Sequence, residues 1–360
     1  MPLPPVEIEL QERSYSAWFE GDWESLDRKF PAHRRLLLTE SNVAKFHLDY
    51  WQKLIPRTEI IIVPAGENSK TLRSAEEIFT LLIRKNFSRD TLIYNLGGGM
   101  IGDLGGFIAA TFMRGVKYIQ IPTSLLAMVD AAVGGKVGVN HHLGKNLIGC
   151  FYQPLAVFVR FQHLETLPRR EWLCGLGEAF KYGLIADESL FEKIGASMNS
   201  PAPKDWLDLE TIRRCVEIKA SVVSRDETET SGLRMILNFG HTIGHALEAA
   251  SGYETYKHGE AVVAGMAGAV FLSHLKGLLR DDDYQPIIES LSQFPLPRMS
   301  EGLSSEVLNR FIIHDKKVSE GRSRFVLLQG VGKPVIVEDI EKPEIERALA
   351  FTLDFINRNG

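Results

Sequence analysis

The rhythm of apolar positions changes about halfway along the chain. In the first half, short unbroken apolar runs alternate with segments whose apolar residues recur every three or four positions. RRLLLTES, TEIIIVPAG, DTLIYNLGGG and GVKYIQIPT read as strands. NVAKFHLDYWQKL and TLRSAEEIFTLLIRKN read as amphipathic helices, the second opening at Thr71 as its N-cap, and a further helix follows the glycine run from about Gly102. Apolar strands separated by helices indicate a parallel sheet covered on both faces. From about Leu167 the helical period takes over: REWLCGLGEAFKYGLI, LETIRRCVEIKASVVS, FGHTIGHALEAASG and HGEAVVAGMAGAVFLSHLKG all carry it. Only RFVLLQG and KPVIVED, near the C-terminus, look like strands, joined as a hairpin. The expected architecture is an α/β domain with a parallel sheet over residues 1–167, then a mainly α-helical domain over residues 168–360. The junction of two such domains is a common place for a ligand.

Composition sharpens this picture little. A chain of 360 residues is longer than one core usually serves, which agrees with two domains. Its formal net charge of -5 and the lack of a basic tract argue against nucleic acid as the main partner. Three dispersed cysteines, Cys150, Cys174 and Cys215, fit neither a disulfide framework nor a cysteine zinc site, and point to a reducing compartment. The first residues, MPLPPVEIELQERS, lack the basic start and apolar run of a signal peptide. No apolar stretch reaches the ~18 residues of a membrane span. The expectation is a cytoplasmic protein with no membrane partner.

The first candidate chemistry is nucleotide binding. Gly97, Gly99 and Gly102 spell G-x-G-x-x-G between the strand TLIYNL and a helix, the context the dinucleotide motif requires. Glycines there let the backbone approach a pyrophosphate at a helix N-terminus. Alone, the motif also describes a plain strand-to-helix turn. The ribose-binding acid usual about 20 residues on is missing, since the chain reads QIPTS. Glu40 and Glu67 each follow a strand instead, a position from which each can lie at the same sheet edge as the glycine turn, so the expected site is Rossmann-like but not standard.

The second is a metal site. NFGHTIGHALE puts His241 and His245 four residues apart on one helix face, KHGEAV opens a helix at His258, and GLGEAFKYG holds Glu178 among apolar and small residues. Two or three histidines with one carboxylate make a catalytic site with an open position. Glycines flank every candidate and allow close packing of backbone. The pattern lacks the Glu after the first His that marks a metalloprotease.

The third is a cationic set. Lys136 and Lys145 sit in Gly-rich segments read as loops, and Lys181 lies three residues after Glu178 on the same helix face. Lys219, Arg234, Lys316 and Lys317 lie further along. Cations of this kind suit a phosphate or carboxylate. Asp130, at the end of the apolar run SLLAMV, is either a cap partner or a functional acid.

Together these segments are similar to a known family. GGGMIGDLGGFIAATFMRGVKYIQIPTSLLAMVDAAVGGKVGVNHHLGKNLIG, with PAGENSK, GEAFKYGLI, LNFGHTIGHALE, KHGEAV and HDKK in the expected order, resembles the 3-dehydroquinate synthase family of the sugar phosphate cyclase superfamily. The resemblance runs from about Glu40 to Lys317. It implies a dehydroquinate synthase-like fold and conversion of 3-deoxy-arabino-heptulosonate 7-phosphate, a phosphorylated sugar acid of the shikimate pathway, to 3-dehydroquinate and phosphate. It implies NAD as a catalytic cofactor and a divalent ion, Zn2+ or Co2+. By the same resemblance Glu178, His241 and His258 match the metal ligands, and His245 becomes a neighbouring or phosphate-side group. Asp130, Lys136, Lys145, Lys181, Lys219, Arg234, Asn238 and Lys316 match substrate contacts. Arg114 matches a residue that reaches into a neighbouring subunit, which implies a homodimer. Glu40, Asn42, Glu67, Lys70, Gly98, Gly99, Asp103, Thr123, Ser124, Lys145, Asn146 and Thr166 match NAD contacts. The chain departs from the pattern at HHLGKN, GLGEAF and Glu40. The alternatives are a relative that cyclises another sugar phosphate, such as aminodehydroquinate synthase, and a glycerol-dehydrogenase-like oxidoreductase.

Overall fold

The computed structural model describes residues 2–299, 302–318, 324–338 and 340–360, and the chain forms two compact units. The first comprises Met1–Trp172 with Asp208–Thr228, and the second Leu173–Leu207 with Glu229–Gly360.

The first unit is built on a seven-stranded sheet. Its strands are β1 (Leu3–Ile8), β2 (Tyr15–Phe19), β3 (Arg34–Glu40), β4 (Glu59–Val63), β5 (Thr91–Gly97), β6 (Lys117–Pro122) and, beyond an intervening hairpin, β9 (Ala156–Val159). The hairpin is β7 (Lys136–His141) with β8 (Gly144–Phe151). The sheet order is β1-β2-β9-β6-β5-β3-β4, parallel except for the β1–β2 pair at one edge. Strand alternation explains the all-apolar runs, because both faces are covered. Leu36 and Leu38 join the core beneath α3 (Leu72–Arg84) and α4 (Gly99–Thr111), whereas Leu37, Leu92, Tyr94 and Leu96 face α1 (Trp23–Asp27) and α2 (Ser41–Leu54). Thr71 caps α3, its hydroxyl accepting the Ser74 N–H at 3.1 Å, as the sequence led one to expect.

The chain steps from β3 outward to β4 and then back past β3 to β5, so the strand order reverses between β3 and β5. Open α/β sheets bind ligands at the carboxyl ends of strands on either side of such a reversal. α5 (Arg169–Ala186) leads out of the first unit, and α7 (Leu209–Val223) returns to it to pack against β1 and the Ala127–Ala131 π-helical turn.

The second unit is helical around α9 (His258–Leu275), which is buried almost continuously from Gly259 to Ser273. A helix apolar on all sides belongs at a centre. Around it pack α8 (His241–Ala250), α10 (Asp281–Leu291), α12 (Lys342–Asn359) and the hairpin β10 (Arg324–Leu328) with β11 (Pro334–Glu338), which is the late hairpin expected from the sequence. The remaining helices are α6 (Glu188–Ser197) and α11 (Ser305–Val318). Among the described residues no helix is long and apolar enough to cross a membrane.

Candidate active site

In the second unit, α5, α8 and α9 each deliver one donor to a single point. Glu178 on α5 is wholly buried, and its Oε1 lies 3.4 Å from His241 Nε2 and 3.4 Å from His258 Nε2. Donor atoms of these three residues all lie within 4.8 Å of one another. Glycines make the convergence possible. A Cβ on Gly177, beside Glu178, would stand 3.0 Å from the Gly259 carbonyl oxygen, and one on Gly259, beside His258, 2.0 Å from that of Cys174. One on Gly244 would lie 2.9 Å from the Ala261 oxygen. The three helices therefore touch through backbone where the donors emerge.

The other imidazole nitrogens are already engaged. His241 Nδ1 faces the Phe239 carbonyl oxygen at 3.1 Å, and His258 Nδ1 faces Glu248 Oε2 at 3.2 Å. Each ring so held presents Nε2 to Glu178, the arrangement in which a histidine binds a metal. Burial pushes His241 down to about 3, with Lys181 pulling the same way. Burial also pulls on His258, but Glu178 and Glu248 outweigh it and raise it to about 10. Proton and cation compete for the same nitrogen there. A carboxylate and two Nε2 atoms, closely grouped and three in number, fit a divalent ion with open positions. His245 belongs to a different group, with Glu248 and His258, and not to the one around Glu178.

One cation touches this group directly. Lys181 is buried, and its Nζ pairs with Glu178 Oε2. Arg234 is 2 % exposed and its Nε lies 3.4 Å from Glu229 Oε1, while Asn238, four residues on, is exposed. The side chains of Lys316 and Lys317 lie outside the described residues.

In the first unit, β3, β5 and β6 bring Glu40, Gly97 to Gly99, Thr123 and Ser124 to one edge of the sheet. The Thr123 N–H donates to the Gly97 carbonyl at 2.9 Å, and a Cβ on Gly98 would lie 3.2 Å from Ser124 Oγ. Bare backbone at the start of α4 suits a pyrophosphate. That helix begins at Gly99, not near Gly102, because Gly98 serves as N-cap and the glycines after it stay helical. Below it, a Cβ on Gly105 would strike Asn95 Oδ1 at 2.0 Å, so the glycines also bring the helix close to the sheet.

Beside this edge lies a polar network. Buried Lys70 pairs through Nζ with the Asp103 carboxylate and the Asn146 side-chain oxygen, and stands 3.7 Å from Glu67 Oε1. Burial pushes Asp103 above its ordinary value against the pull of Lys70. Asn140 ties the network together. Its Nδ2 donates to Glu67 Oε1 at 2.8 Å, its Oδ1 accepts the Asn146 N–H at 2.9 Å, and its N–H reaches the Lys70 carbonyl at 2.8 Å. The sequence reading missed Asn140; its place at the end of VGGKVGVN was the available signal.

Other candidates occupy more ordinary positions. Glu40 is the N-cap of α2 and accepts the N–H groups of Asn42 at 2.8 Å and Val43 at 3.1 Å. Thr166 Oγ1 lies 2.9 Å from His47 Nε2. Asp130 Oδ1 and its carbonyl accept from Lys219 Nζ at 2.9 and 2.6 Å, so these two act as a pair. Lys136 and Lys145 stand on β7 and β8, a correction to the expected loops. Gly138 and Gly149 look like loop residues in sequence but oppose each other across the hairpin, where a Cβ on Gly149 would lie 2.2 Å from the Val137 oxygen. Arg114 is exposed at φ 66°, next to Met113 at φ 50°, and no acid among the described residues pairs with it.

The family model described as 3-dehydroquinate synthase N-terminal matches residues 60–174, and the one described as 3-dehydroquinate synthase C-terminal matches residues 175–318. The 3-dehydroquinate synthase of Acidithiobacillus ferrooxidans is 45% identical over 318 residues, covering 87% of each chain. A solved 2-deoxy-scyllo-inosose synthase complexed with carbaglucose-6-phosphate, NAD+ and Co2+ superposes with a TM-score of 0.83 at 27% identity, over 96% of this chain and 99% of that one. ValA, the 2-epi-5-epi-valiolone synthase of Streptomyces hygroscopicus subsp. jinggangensis 5008 with NAD+ and Zn2+ bound, gives 0.83 at 25% identity, over 94% and 97%.

Proposed function

This chain belongs to the 3-dehydroquinate synthase family, and from that premise we propose how its residues convert 3-deoxy-D-arabino-heptulosonate 7-phosphate to 3-dehydroquinate and phosphate. The sequence of events is oxidation at C5, elimination of phosphate, reduction of the ketone, ring opening and internal aldol closure. The redox change cancels within each turnover. When bound, NAD takes and returns the hydride, and a Zn2+ or Co2+ ion polarises the oxygen being oxidised.

Glu178, His241 and His258 hold the ion, and three donors leave positions for substrate oxygens. Lys181 Nζ lies against the Glu178 carboxylate, beside the ion's place. Arg234 and Asn238 take the C1 carboxylate, a group that relatives acting on neutral sugar phosphates do not have to bind. Lys136, Lys145, His245, the Asp130–Lys219 pair and Lys316 hold the rest of the substrate, including its phosphate. Glu40, Glu67, Lys70, Asp103, Asn146 and Thr166 position NAD around the Gly98–Gly99 turn, with Asn42, Thr123, Ser124 and Lys145. Exposed Arg114 serves the neighbouring copy in a homodimer. Dispersed free cysteines support a reducing compartment, the cytoplasm, as its location.

One observation carries the reading: a buried carboxylate and two histidines from three helices converge with a buried lysine attached. The test supplies the heptulosonate phosphate, NAD and metal to the purified protein and follows phosphate and NADH together. Phosphate release without standing NADH is the expected result. Steady NADH accumulation without phosphate release would point to a dehydrogenase instead.

A further inference from the structure

One glutamate lies outside every role given above. Glu248 follows His241 by seven residues and His245 by three, so all three share one face of α8. A surface glutamate on such a face would be solvated. This one is buried, with 6% of its side chain exposed, and a buried carboxylate persists only where a donor meets it. His258 Nδ1 meets it at 3.2 Å.

The position of His258 makes that contact consequential. Its two nitrogens face two carboxylates, Nδ1 towards Glu248 and Nε2 towards Glu178. A neutral imidazole has one proton and one lone pair, and whichever nitrogen keeps the proton leaves the other as the ligand atom. We propose that Glu248 is a positioning residue for the metal centre: it takes the Nδ1 proton of His258 in a hydrogen bond and so commits Nε2 to the ion. This rests on the reading that Glu178, His241 and His258 are the ligands.

Two observations support it independently. The second histidine is set in the same way, its Nδ1 facing the Phe239 carbonyl, so both ligand rings have the same nitrogen engaged and the same one presented. And α8 is not free to withdraw Glu248 from α9. Besides the Gly244 contact with Ala261, a Cβ on Gly265 would stand 2.0 Å from the Gly240 oxygen, so the helices meet backbone to backbone along this stretch. The competing role is that of a ligand. Glu248, His245 and His258 also bring donor atoms within 4.8 Å of one another, but a cation there would have to take over the Nδ1 now facing Glu248.

The experiment compares wild type, Glu248→Ala, Glu248→Gln and Glu178→Ala. Zn2+ affinity is measured by chelator competition, metal stoichiometry by elemental analysis, and the metal-free proteins are melted thermally. Loss of an outer partner of a ligand histidine typically weakens metal binding by about 10–100-fold. Glu248→Ala should fall in that range with an unchanged melt of the metal-free protein. Glu248→Gln, whose amide oxygen still accepts the Nδ1 proton, should recover most of the loss. The visible band of the Co2+-loaded protein should shift in Glu248→Ala and return towards wild type in Glu248→Gln. Wild-type affinity in Glu248→Ala would overturn the proposal. So would a second bound ion that disappears with Glu248, which would make it a ligand, or an equal loss in both variants with a collapsed melt, which would make it a packing residue. Wild-type affinity in Glu178→Ala would instead strike at the ligand assignment on which the proposal rests.

Discussion

In the second unit the donors rise from three helices whose backbones meet through glycine, whereas in the first they come from a turn, a helix and a hairpin and bind one another. Glu178, His241 and His258 gather around one point on elements that cannot easily shift. Lys70, Asp103, Asn146, Glu67 and Asn140 instead form a closed network of mutual hydrogen bonds. Rigid helices hold the geometry that a metal demands. A self-satisfied network spread over a turn, the start of α4 and the β7–β8 hairpin suits a cofactor that arrives by exchanging hydrogen bonds. The contrast predicts that substitutions in the helical group act all or none and those in the network act by degrees.

The largest effect should come from Glu178→Ala, which removes a proposed ligand and leaves Lys181 buried without its carboxylate. Loss of the ion's polarising effect, worth several kcal/mol, should lower turnover by ~1,000-fold or more. Steady-state phosphate release measures it, and a tenfold loss or less would break the contrast. Next is Arg234→Ala. A hydrogen bond to a charged group contributes about 1.5–3 kcal/mol, so kcat/KM should fall ~10- to 100-fold. Wild-type efficiency would remove the carboxylate from its assignment.

A third test probes rigidity in the first unit away from the network. Trp51 Nε1 donates to His163 Nε2 at 3.0 Å, and His163 Nδ1 faces the Pro122 carbonyl at 3.0 Å. Burial pushes this histidine down to about 3. Its folded value is below its unfolded one, so its contribution is complete above pH about 6.5 and is lost as pH falls from there towards about 3. Between pH 7 and 5 the wild type should lose about 2 kcal/mol more than His163→Gln, by urea unfolding. Equal losses would mean that the ring titrates normally. The smallest effect expected is for Glu67→Ala. One partner leaves a network whose other members remain, so NAD affinity should fall about tenfold by calorimetry while zinc affinity holds. A loss of zinc with it would show the two sites are not separable.

Much of this was legible in the sequence where local pattern and final environment agree. The runs LLL and LIYNL read as strands buried on both faces, and so they are, while α9 announces a central helix by lacking a polar side. The histidine spacing gave the metal candidates, but not the choice among them, because His241 and His245 share a helix face and only packing turns one towards Glu178. Glu248 was invisible for a related reason: a glutamate on a helix reads as solvated surface until the neighbouring helix covers it. The β7–β8 hairpin was hidden by glycines that usually mark loops. The return of α7 to the first unit depends on contacts with β1, which no local pattern encodes.

The central claim is that Glu178, His241 and His258 bind the ion and that His245 does not. Its most direct test is the metal content of four dialysed variants, each of those residues changed to Ala, beside the wild type. About one ion per chain is expected in wild type and in His245→Ala, and little or none in the other three. An emptied site in His245→Ala beside a full one in His258→Ala would contradict it.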